Sequence, residues 1–501
     1  VYKRQDKYLL SFVFRRDGYS SLLGDNRWGF FPGVSAGWIF GREDFIKEAI
    51  PVMSFGKLRA SYGINGNASG IGAYTLQGSY GSSNSNGSFN YNGNTSYLIT
   101  ELPNPNLRWE KTATFEVGAD LSFFANRLNT NLTYYNRLTS DKYAALSFPT
   151  STGFSSVTNN NGEFRNQGIE IELSGKIIDS KDWTWSASGN IAFNKNKIVS
   201  LPDNGMERNR INAFQVYTGN GDEKKWVGGQ QEGQEPGILY LYQADGIYRS
   251  YDEIPANLVR KYGSRTYYGP EAWNKLTAEQ QNATTNFPIQ PGDTKFHDVN
   301  GDDVIDEFDK VKVGATSPRW TGGFNTTLRW KNFQLYGRFD YALGFWLYEN
   351  SGTQSTTPWF MGCYQGTYNT PTMYYDTWSE SNPNAKYPRY LFADQNGKNN
   401  YIASTMFAYR GDYLAIREIS LSYSLPESVA KMLKMQRAEV SITGQNLGYI
   451  TGAKNVGSPE ANPKDNGAVG QGYSLPRTIL FGVNSVSYTH LRAHETRGNL
   501  V

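Results

Sequence analysis

Residues 319–345 read RWTGGFNTTLRWKNFQLYGRFDYALGF and contain two runs in which apolar and polar side chains alternate. The apolar positions are Trp320, Phe324, Leu328 and Trp330 in the first run, and Phe333, Leu335, Phe339, Tyr341, Leu343 and Phe345 in the second. A period of two residues predicts strands with one apolar and one polar face. Because Lys331 and Asn332 separate the runs, we expect an antiparallel hairpin. Each run has about the ten residues that a tilted strand needs to cross a bilayer, and Arg338 and Asp340 suit a face that meets water.

The composition excludes several classes of protein. The chain has 501 residues, of which 19% are charged and 15% aromatic, and its net charge is only +3. It contains no apolar run long enough for a membrane helix, whereas membrane β-barrels escape hydropathy analysis because alternate residues face water. A near-neutral chain without a basic block does not suggest nucleic-acid binding. The single cysteine, Cys363, excludes disulfides within the chain and cysteine-based metal sites.

Further alternating runs divide the chain into about twelve predicted spanning strands. Short turns are predicted near 125–127, 178–182 and 331–332, and a short helix at 41–50. Long polar loops are predicted at 64–107, 139–162, 198–317, 346–405 and 450–475. Short and long connections alternate, as in outer-membrane barrels with short periplasmic turns and long extracellular loops. We therefore predict an all-β transmembrane antiparallel barrel, in which 198–317 forms one extracellular excursion and 240–248 belongs to a loop hairpin.

Eight segments stand out when the chain is taken as a whole: RRDGYSSLLGDNRWGFFPGVSAGWIF (15–40), KLRASYGINGN (57–67), LRWEKTATFEVGADLSFF (107–124), NQGIEIELSGKI (166–177), GDTKFHDVNGDDVID (292–306), GDYLAIREISLSYSLP (411–426), ITGQNLGYIT (442–451) and GYSLPRTILFGVN (472–484). Together and in this order they resemble the barrel half of SusC/RagA-type TonB-dependent transporters. The resemblance implies a 22-stranded barrel in the outer membrane of Bacteroidetes-type bacteria, of which these twelve strands would be the C-terminal part. It also implies an N-terminal plug that binds TonB, and a SusD-like surface lipoprotein as a lid.

The plug, the signal sequence and the first half of the barrel have no counterpart in the sequence, so we interpret the chain as a fragment. Residues 1–5 and 485–501 do not resemble the family, and we predict a non-native leader and a non-native tail there. Residues 6–484 then form the partial receptor barrel. The tail is too charged to continue a strand whose outer face meets lipid.

One acidic segment predicts a metal site. Oxygen-bearing residues occur at the first, third, fifth, seventh, ninth and twelfth positions of a calcium loop: Asp298, Asn300, Asp302, Val304 (through its carbonyl), Asp306 and Asp309. Asp303 stands where such loops usually have glycine, and Asp309 replaces the usual glutamate. The alternative is a polar turn held together by aspartate and asparagine side chains. Bound calcium would be structural.

Aromatic residues are concentrated in the predicted loop 346–405. Those singled out as substrate contacts are Trp359, Tyr364, Tyr368, Tyr375 and Trp378. Aromatic rings with a polar group offer flat faces to sugars or peptide side chains. The alternative is that these rings pack against their own loop or against the lid.

The sequence contains no catalytic motif, and His297, the only histidine outside the predicted tail, lies beside the acidic segment. We therefore expect a protein that is not an enzyme. The predicted function is TonB-dependent import of a bulky nutrient, either an oligosaccharide or a peptide, with TonB, the lipoprotein and membrane lipid as partners. The alternative is a passive structural or adhesive barrel whose loops bind glycan or host surfaces.

Overall fold

The computed structural model describes residues 2–4, 6–72, 74–84, 87–88, 90–92, 94–348, 376–389, 402–453, 458–460 and 475–486. The largest element is a sheet of thirteen strands, which we number in chain order. These are β1 (Tyr2–Arg4), β2 (Tyr8–Gly18), β3 (Trp28–Trp38), β4 (Met53–Asn67), β5 (Glu110–Phe123), β6 (Leu128–Ser147), β7 (Ser156–Asp179), β8 (Trp183–Ser200), β9 (Trp320–Trp330), β10 (Phe333–Leu343), β11 (Tyr413–Ser424), β12 (Arg437–Thr451) and β13 (Thr478–Val486). The all-β prediction is confirmed.

Spatial order and chain order agree throughout this sheet, and neighbouring strands are antiparallel. β1 has 3 residues, whereas the other strands have between 9 and 24. The prediction of about twelve spanning strands is therefore confirmed. Within the described part of the chain, β1 and β13 are the outermost strands and do not pair with each other, so this sheet is open.

The outer face of the sheet is apolar and exposed. One row of directly opposite residues crosses the last six strands: Trp185, Leu328, Leu335, Leu421, Ile442 and Phe481. All of them except Leu328 are exposed, and Phe481 reaches 80%. Soluble proteins rarely expose a contiguous apolar surface of this extent. A face of this kind is stable where hydrocarbon rather than water covers it.

Aromatic rings form a belt at one end of the outer face. The ring centroids of Trp183 and Trp330 are 5.6 Å apart, and those of Trp330 and Phe333 are 6.0 Å apart. Phe333 continues the row to Tyr423 at 4.6 Å. Tryptophan and tyrosine favour the boundary between hydrocarbon and water, so this belt marks one border of the membrane-facing band.

Short turns lie at the same end as the belt, at 124–127, 180–182 and 331–332. The connections 39–52 and 425–436 at this end contain the helices Asp44–Ala49 and Glu427–Met432. The opposite end, which we call the long-loop end, carries the connections 19–27, 68–109, 148–155, 201–319, 344–412 and 452–477. The predicted alternation of short and long connections is confirmed. In the described residues, no helix is long and apolar enough to cross a membrane.

One predicted loop is wrong. Residues 139–162 were expected to form a loop, but β6 continues to Ser147 and β7 begins at Ser156, so most of this segment is a hairpin. Its polar composition suggested a loop, yet a strand pair that projects beyond the membrane needs no apolar face. Shifts of register near Lys142 leave Asp141 at φ 55° and mark a bulge where the hairpin leaves the wall.

The segment 201–319 is a single excursion, because β8 pairs directly with β9 and Phe193 lies opposite Trp320. No strand of the excursion belongs to the wall, as predicted. The predicted hairpin at 240–248 is wrong, however. Ile238–Tyr242 pairs with Lys310–Ala315, and Ala244–Ile247 pairs with Thr294–Phe296, so each strand has a partner far away in the sequence.

The loops contain many short elements. Strands of the connections are Ser79–Gly81, Ser83–Asn84, Gly87–Ser88, Asn90–Tyr91, Asn94–Thr95, Leu98–Glu101, Phe214–Tyr217, Lys224–Val227, Val259–Tyr262, Arg265–Tyr268, Asn286–Pro288, Val304–Ile305, Trp346–Tyr348 and Ala408–Arg410. Among the described residues, the further helices are Pro270–Asn274 and Ala278–Gln281, together with 3₁₀ turns at Gly24–Arg27, Phe40–Arg42, Thr150–Thr152, Glu207–Asn209, Tyr251–Glu253 and Thr405–Phe407.

The excursion has a hydrophobic core of its own, which later parts of the chain complete. Tyr387 and Phe407 pack with Leu239 and Leu241 in one buried cluster. Ile402 joins a second cluster, built mainly from residues of the excursion. The segments 376–389 and 402–412 therefore dock on the excursion, and together they form a folded body at the long-loop end.

The predicted boundaries near the termini remain predictions. β1 lies in the predicted leader and pairs with β2, and β13 extends to Val486, two residues into the predicted tail. Residues 487–501 lie outside the described residues.

Candidate functional site

The polar face of the sheet, which we call the inner face, carries a groove of about 500 Å³. Its polar side chains come from six consecutive strands, β5 to β10: Asp120, Asn131, Glu172, Asn190, Asn325, Arg338 and Asp340. These residues occupy the positions that alternate with the exposed apolar ones, as the period-two pattern predicts. Carboxylate, amide and guanidinium groups in one groove make a surface that water or a polar solute can wet.

Charges on the inner face are paired across strands. The Arg59 guanidinium donates from Nε to Asp120 Oδ1 at 3.2 Å and from Nη2 to Asn131 Oδ1 at 2.9 Å. It crosses directly over Gly118, where a Cβ atom would lie 2.8 Å from Arg59 Cζ. Glycine at 118 therefore provides the close approach that the arginine needs to reach β6.

A second ion-pair cluster links the wall to a long loop. The register between β10 and β11 shifts because Arg338 pairs with Glu418 and Phe339 pairs with Ile416, so Arg417 is the extra residue of a bulge relative to β10. Arg417 donates from Nε to Asp340 Oδ2 at 2.7 Å, and from Nη1 to Glu460 Oε2 at 2.9 Å. Bulges often re-aim a side chain, and this one places a guanidinium between the wall and residues 458–460.

Glu460 receives further donors. The hydroxyls of Tyr413 and Tyr449 donate to its two carboxylate oxygens at 2.9 Å and 2.8 Å. Burial favours the neutral acid, but the hydrogen bonds from Arg417, Tyr449 and Tyr413 prevail and hold the pKa of Glu460 below its usual range. The carboxylate is therefore held in its charged form against the wall.

The folded body at the long-loop end contains a buried ion pair. Arg389 donates from Nε to Asp293 Oδ1 at 2.7 Å, and Asp293 is fully buried. Burial raises the pKa of Asp293, although the Arg389 guanidinium opposes the shift. Separating the two side chains would leave a buried charge without its partner, which is strongly destabilising. The pair therefore holds segment 376–389 against the excursion.

Among the predicted substrate contacts, only Trp378 lies in the described residues. Trp359, Tyr364, Tyr368 and Tyr375 lie outside them. The Trp378 ring covers Gly292, whose φ is +87° and where a Cβ atom would lie 2.5 Å from Trp378 Cε3. The backbone of Trp378 donates to the Tyr387 carbonyl at 2.9 Å. The ring thus packs against the excursion, and substrate contact at the five aromatic residues stays a prediction.

The predicted calcium loop has its carboxylates turned toward its own backbone. Asp298 accepts from the amides of Gly301 and Asp303, both at 2.8 Å, and Asp302 and Asp306 accept from the amides two residues ahead. Asp303 has φ +62°, so the position usually held by glycine does adopt the left-handed conformation, which aspartate tolerates. The loop is therefore pre-shaped without glycine at that position.

The far end of the loop closes on its start. Buried Asp309 accepts from the amides of Val299 and Asp306 at 2.9 Å and 2.7 Å. Burial raises the pKa of Asp309 to about 6. Val304 opens a short strand that pairs in parallel with Val259. In the described part of the chain, no three carboxylate, imidazole or thiolate side chains converge at metal-binding geometry, and calcium binding stays a prediction.

The predicted calcium loop is contacted by Asp222, a residue of another loop that the sequence spacing did not indicate. Asn300 donates from Nδ2 to Asp222 Oδ1 at 2.9 Å, and Asp222 is far away in the sequence. Within the described residues, the buried Oδ1 of Asn300 has no hydrogen-bond partner. Burial and the charges of Asp306 and Asp302 raise the pKa of nearby Tyr217 to about 12. No spacing rule identifies Asp222, because the fold of the excursion brings it to the loop.

Comparison with known proteins agrees with this architecture. Residues 2–268 match the family model described as TonB dependent receptor-like, beta-barrel. TonB-dependent receptor P3 of Formosa agariphila is 29% identical over 96% of this chain and 44% of its own length. TonB-dependent receptor SusC of Bacteroides thetaiotaomicron is 27% identical over 96% of this chain and 42% of its own length. The chain thus spans less than half the length of these curated relatives.

Among solved structures, the RagAB peptide transporter superposes with a TM-score of 0.67 at 22% identity, over 96% of this chain and 46% of that chain. An open antiparallel sheet with an apolar exposed outer face and a polar inner face defines the wall of a membrane β-barrel. The chain belongs to the TonB-dependent receptor-like β-barrel family. It is an outer-membrane protein of the SusC type, so the long-loop end is extracellular and the aromatic belt lies on the periplasmic side.

Proposed function

We propose that the protein contributes the wall and outer loops of a transporter that imports a bulky nutrient across the outer membrane. The single observation that carries the proposal is the combination of a wettable inner groove with a folded extracellular body above the same wall. A purely structural barrel needs the apolar outer face but has no need of that body. The relatives named above are receptors and transporters, which supports a role other than catalysis.

Energy for import would come from TonB acting on a plug inside the barrel, and a SusD-like lipoprotein would cover the extracellular mouth. Two observations support these partners. The curated relatives carry TonB dependence in their names, and one of them is SusC. The inner face is polar over several strands. Such a surface can hold a removable plug, because water can replace the plug during transport.

The nutrient would be an oligosaccharide or a peptide, held by the extracellular body and by the aromatic residues of 346–405. Trp359, Tyr364, Tyr368 and Tyr375 would supply flat ring faces, with Trp378 anchoring the segment to the excursion. Truncating one stacking ring is expected to weaken binding by about 1–3 kcal/mol, by analogy with stacking on nucleic-acid bases. Binding by the full transporter carrying Trp359→Ala or Tyr375→Ala tests this role, and unchanged affinity would assign the rings to loop packing.

Calcium would stiffen the acidic loop of the excursion. Asp298, Asn300, Asp302, Asp306 and Asp309 would supply side-chain oxygens, with the Val304 carbonyl as a further ligand. The supporting observation is the buried Asn300 Oδ1, an acceptor without a hydrogen-bond partner in the described residues. Each carboxylate retains acceptor capacity beyond the backbone bonds described above.

Growth separates import from the adhesive alternative. A strain lacking the gene is compared with the complemented strain on single peptide and oligosaccharide sources, alongside a test of attachment to glycan-coated surfaces. Loss of growth on one nutrient, with attachment unchanged, is the expected result. Normal growth on every source combined with lost attachment would favour an adhesive barrel.

A further inference from the structure

A cavity of about 460 Å³ lies where the extended β6–β7 hairpin meets the start of the excursion, and we call it the rim pocket. Its walls are mostly apolar: Ala144 and Phe164 from the hairpin, Ile198 from the end of β8, and Leu201, Ile211 and Pro236 from the excursion. Ligand pockets commonly have volumes of about 300–1,000 Å³ and mainly apolar linings with a few polar groups. The rim pocket has this size and this character.

The pocket faces the path that a solute would take. Ile198 shares the parity of Ser188 and Asn190 on β8, and Phe164 shares the parity of Glu172 on β7, so both belong to the inner face. The pocket also lies at the extracellular end, because 148–155 and 201–319 are long-loop connections. An apolar cavity at this place is in contact with the transport route and not with lipid.

Backbone hydrogen bonds hold the walls in place. Ile198 bonds to the excursion on both sides, donating to the Gln234 carbonyl at 2.9 Å and accepting from the Gly233 amide at 2.8 Å. Ile211 and Gln230 form a reciprocal pair, with both bonds at 2.9 Å. The cavity is therefore pre-formed, so a ligand does not have to order it.

The lining distinguishes two classes of ligand. A sugar ring presents several hydroxyls, and hydroxyls buried against aliphatic walls lose their hydrogen bonds to water without replacement. A sugar also needs an open aromatic face, but of the two aromatic rings in the lining the ring of Tyr143 is covered by Gly70 and packs with Leu22 and Ile71, which leaves only Phe164 for stacking. An aliphatic side chain has no such requirement and gains from the burial.

The mouth carries groups that suit a peptide backbone. Lys142 is exposed, its ammonium lies 3.9 Å from Glu110 Oε1, and Gln230 is also exposed beside the pocket. An ammonium and an amide donate to carbonyl oxygens, whereas Glu163 accepts from amide groups. A peptide chain could therefore lie across this mouth with one side chain inserted.

We propose that the rim pocket binds an aliphatic side chain of an oligopeptide, which makes peptides the substrate class. This inference rests on the proposed import function, but binding itself requires neither TonB nor energy. It is therefore tested with the purified full-length transporter in detergent, where a failure of energised import does not affect the result.

The probes are fluorescein-labelled Gly-Gly-Leu-Gly-Gly and Gly-Gly-Ser-Gly-Gly, measured by fluorescence anisotropy, with unlabelled maltoheptaose as competitor. The leucine peptide is expected to bind about tenfold more tightly, the scale set by burial of one such side chain. Ile211→Trp fills the pocket and should abolish this preference. Met206→Trp is the matched control, because Met206 is exposed in the same excursion and does not line the pocket.

A second variant keeps the test informative if Ile211→Trp fails to fold. Ile211→Ala enlarges the cavity and should improve binding of Gly-Gly-Trp-Gly-Gly relative to the leucine peptide. Four results would each overturn the inference: no binding of any peptide, equal affinity for leucine and serine peptides, a leucine preference that survives both Ile211 variants, or displacement of the leucine peptide by maltoheptaose.

Discussion

Arg417 and Glu460 join the barrel wall to an extracellular loop, with Arg417 Nη1 donating to Glu460 Oε2 at 2.9 Å. Both side chains are largely buried, at 13% and 22% exposure, and Asp340 holds the opposite side of the same guanidinium at 2.7 Å. A buried charge pair contributes little relative to apolar residues, but breaking it by removing one partner is strongly destabilising. The pair therefore fixes where residues 458–460 lie.

Removing the arginine should release this loop. Arg417→Met leaves Glu460 buried without its cation and is expected to weaken local stability by about 3 kcal/mol. Amide hydrogen exchange of residues 458–460 should then accelerate by about 100-fold. Arg410→Met is the matched control, because Arg410 forms an exposed pair with Asp412 and such pairs contribute about 0–1 kcal/mol. Equal exchange in the two variants would contradict a tethering role for Arg417.

The Arg417–Glu460 ion pair should also resist acid. Its hydrogen bonds hold the pKa of Glu460 below the usual value of 4.5. A depressed carboxyl pKa contributes stability that is complete above the unfolded value and is lost as pH falls through the folded value. Exchange protection at 458–460 should therefore remain unchanged from pH 7 to pH 5 and decline only below 4.5. Loss of protection between pH 7 and pH 5, after correction for intrinsic exchange rates, would show that Glu460 is not held as the anion.

The acidic loop of the excursion should bind calcium. Titration calorimetry of the full-length protein is expected to show calcium-dependent heat that is absent from the Asp298→Ala/Asp302→Ala double variant. Asp203→Ala/Asp252→Ala is a matched control, since both residues are exposed in the same excursion and lie outside the loop. A calcium-independent protein, or heat that survives the loop substitutions, would leave only a turn held by aspartate hydrogen bonds.

The 501-residue chain expressed alone should not form a sealed barrel. In the described residues its two outermost strands, β1 and β13, have unpaired edges. Unpaired backbone groups in hydrocarbon cost several kcal/mol each, so such a sheet would aggregate or seek further strands. Heat-modifiable gel mobility together with stable insertion into dye-loaded liposomes would contradict this expectation.

The wall could be predicted from sequence because alternation is a local signal. The alternation within residues 319–345 is enough to predict the apolar face of β9 and β10, the turn between them and the length of each strand. The β6–β7 extension was missed because strands outside the membrane lack the apolar parity that identified the others. The pairing of Ile238–Tyr242 with Lys310–Ala315 was missed because no periodicity connects segments so far apart.

The candidate site was less predictable for a similar reason. The calcium-like loop is contiguous, so its spacing was visible, but Asp222 and Glu460 reach their partners only through the fold of long loops. Arg417 looked like any polar residue of a strand, and only the bulge relative to β10, between Ile416 and Glu418, distinguishes it. The rim pocket combines the hairpin that was predicted as a loop with the excursion, so no local pattern could indicate it.

Energised import through this wall is the property that distinguishes a transporter from a passive barrel. Its most direct test is uptake of the nutrient identified by growth, labelled with fluorescein, in cells that carry the full-length protein, with and without depletion of TonB. Surface binding is measured separately at 4 °C, where transport stops. TonB depletion is expected to abolish intracellular label while surface binding is retained. Equal internalisation with and without TonB would contradict it.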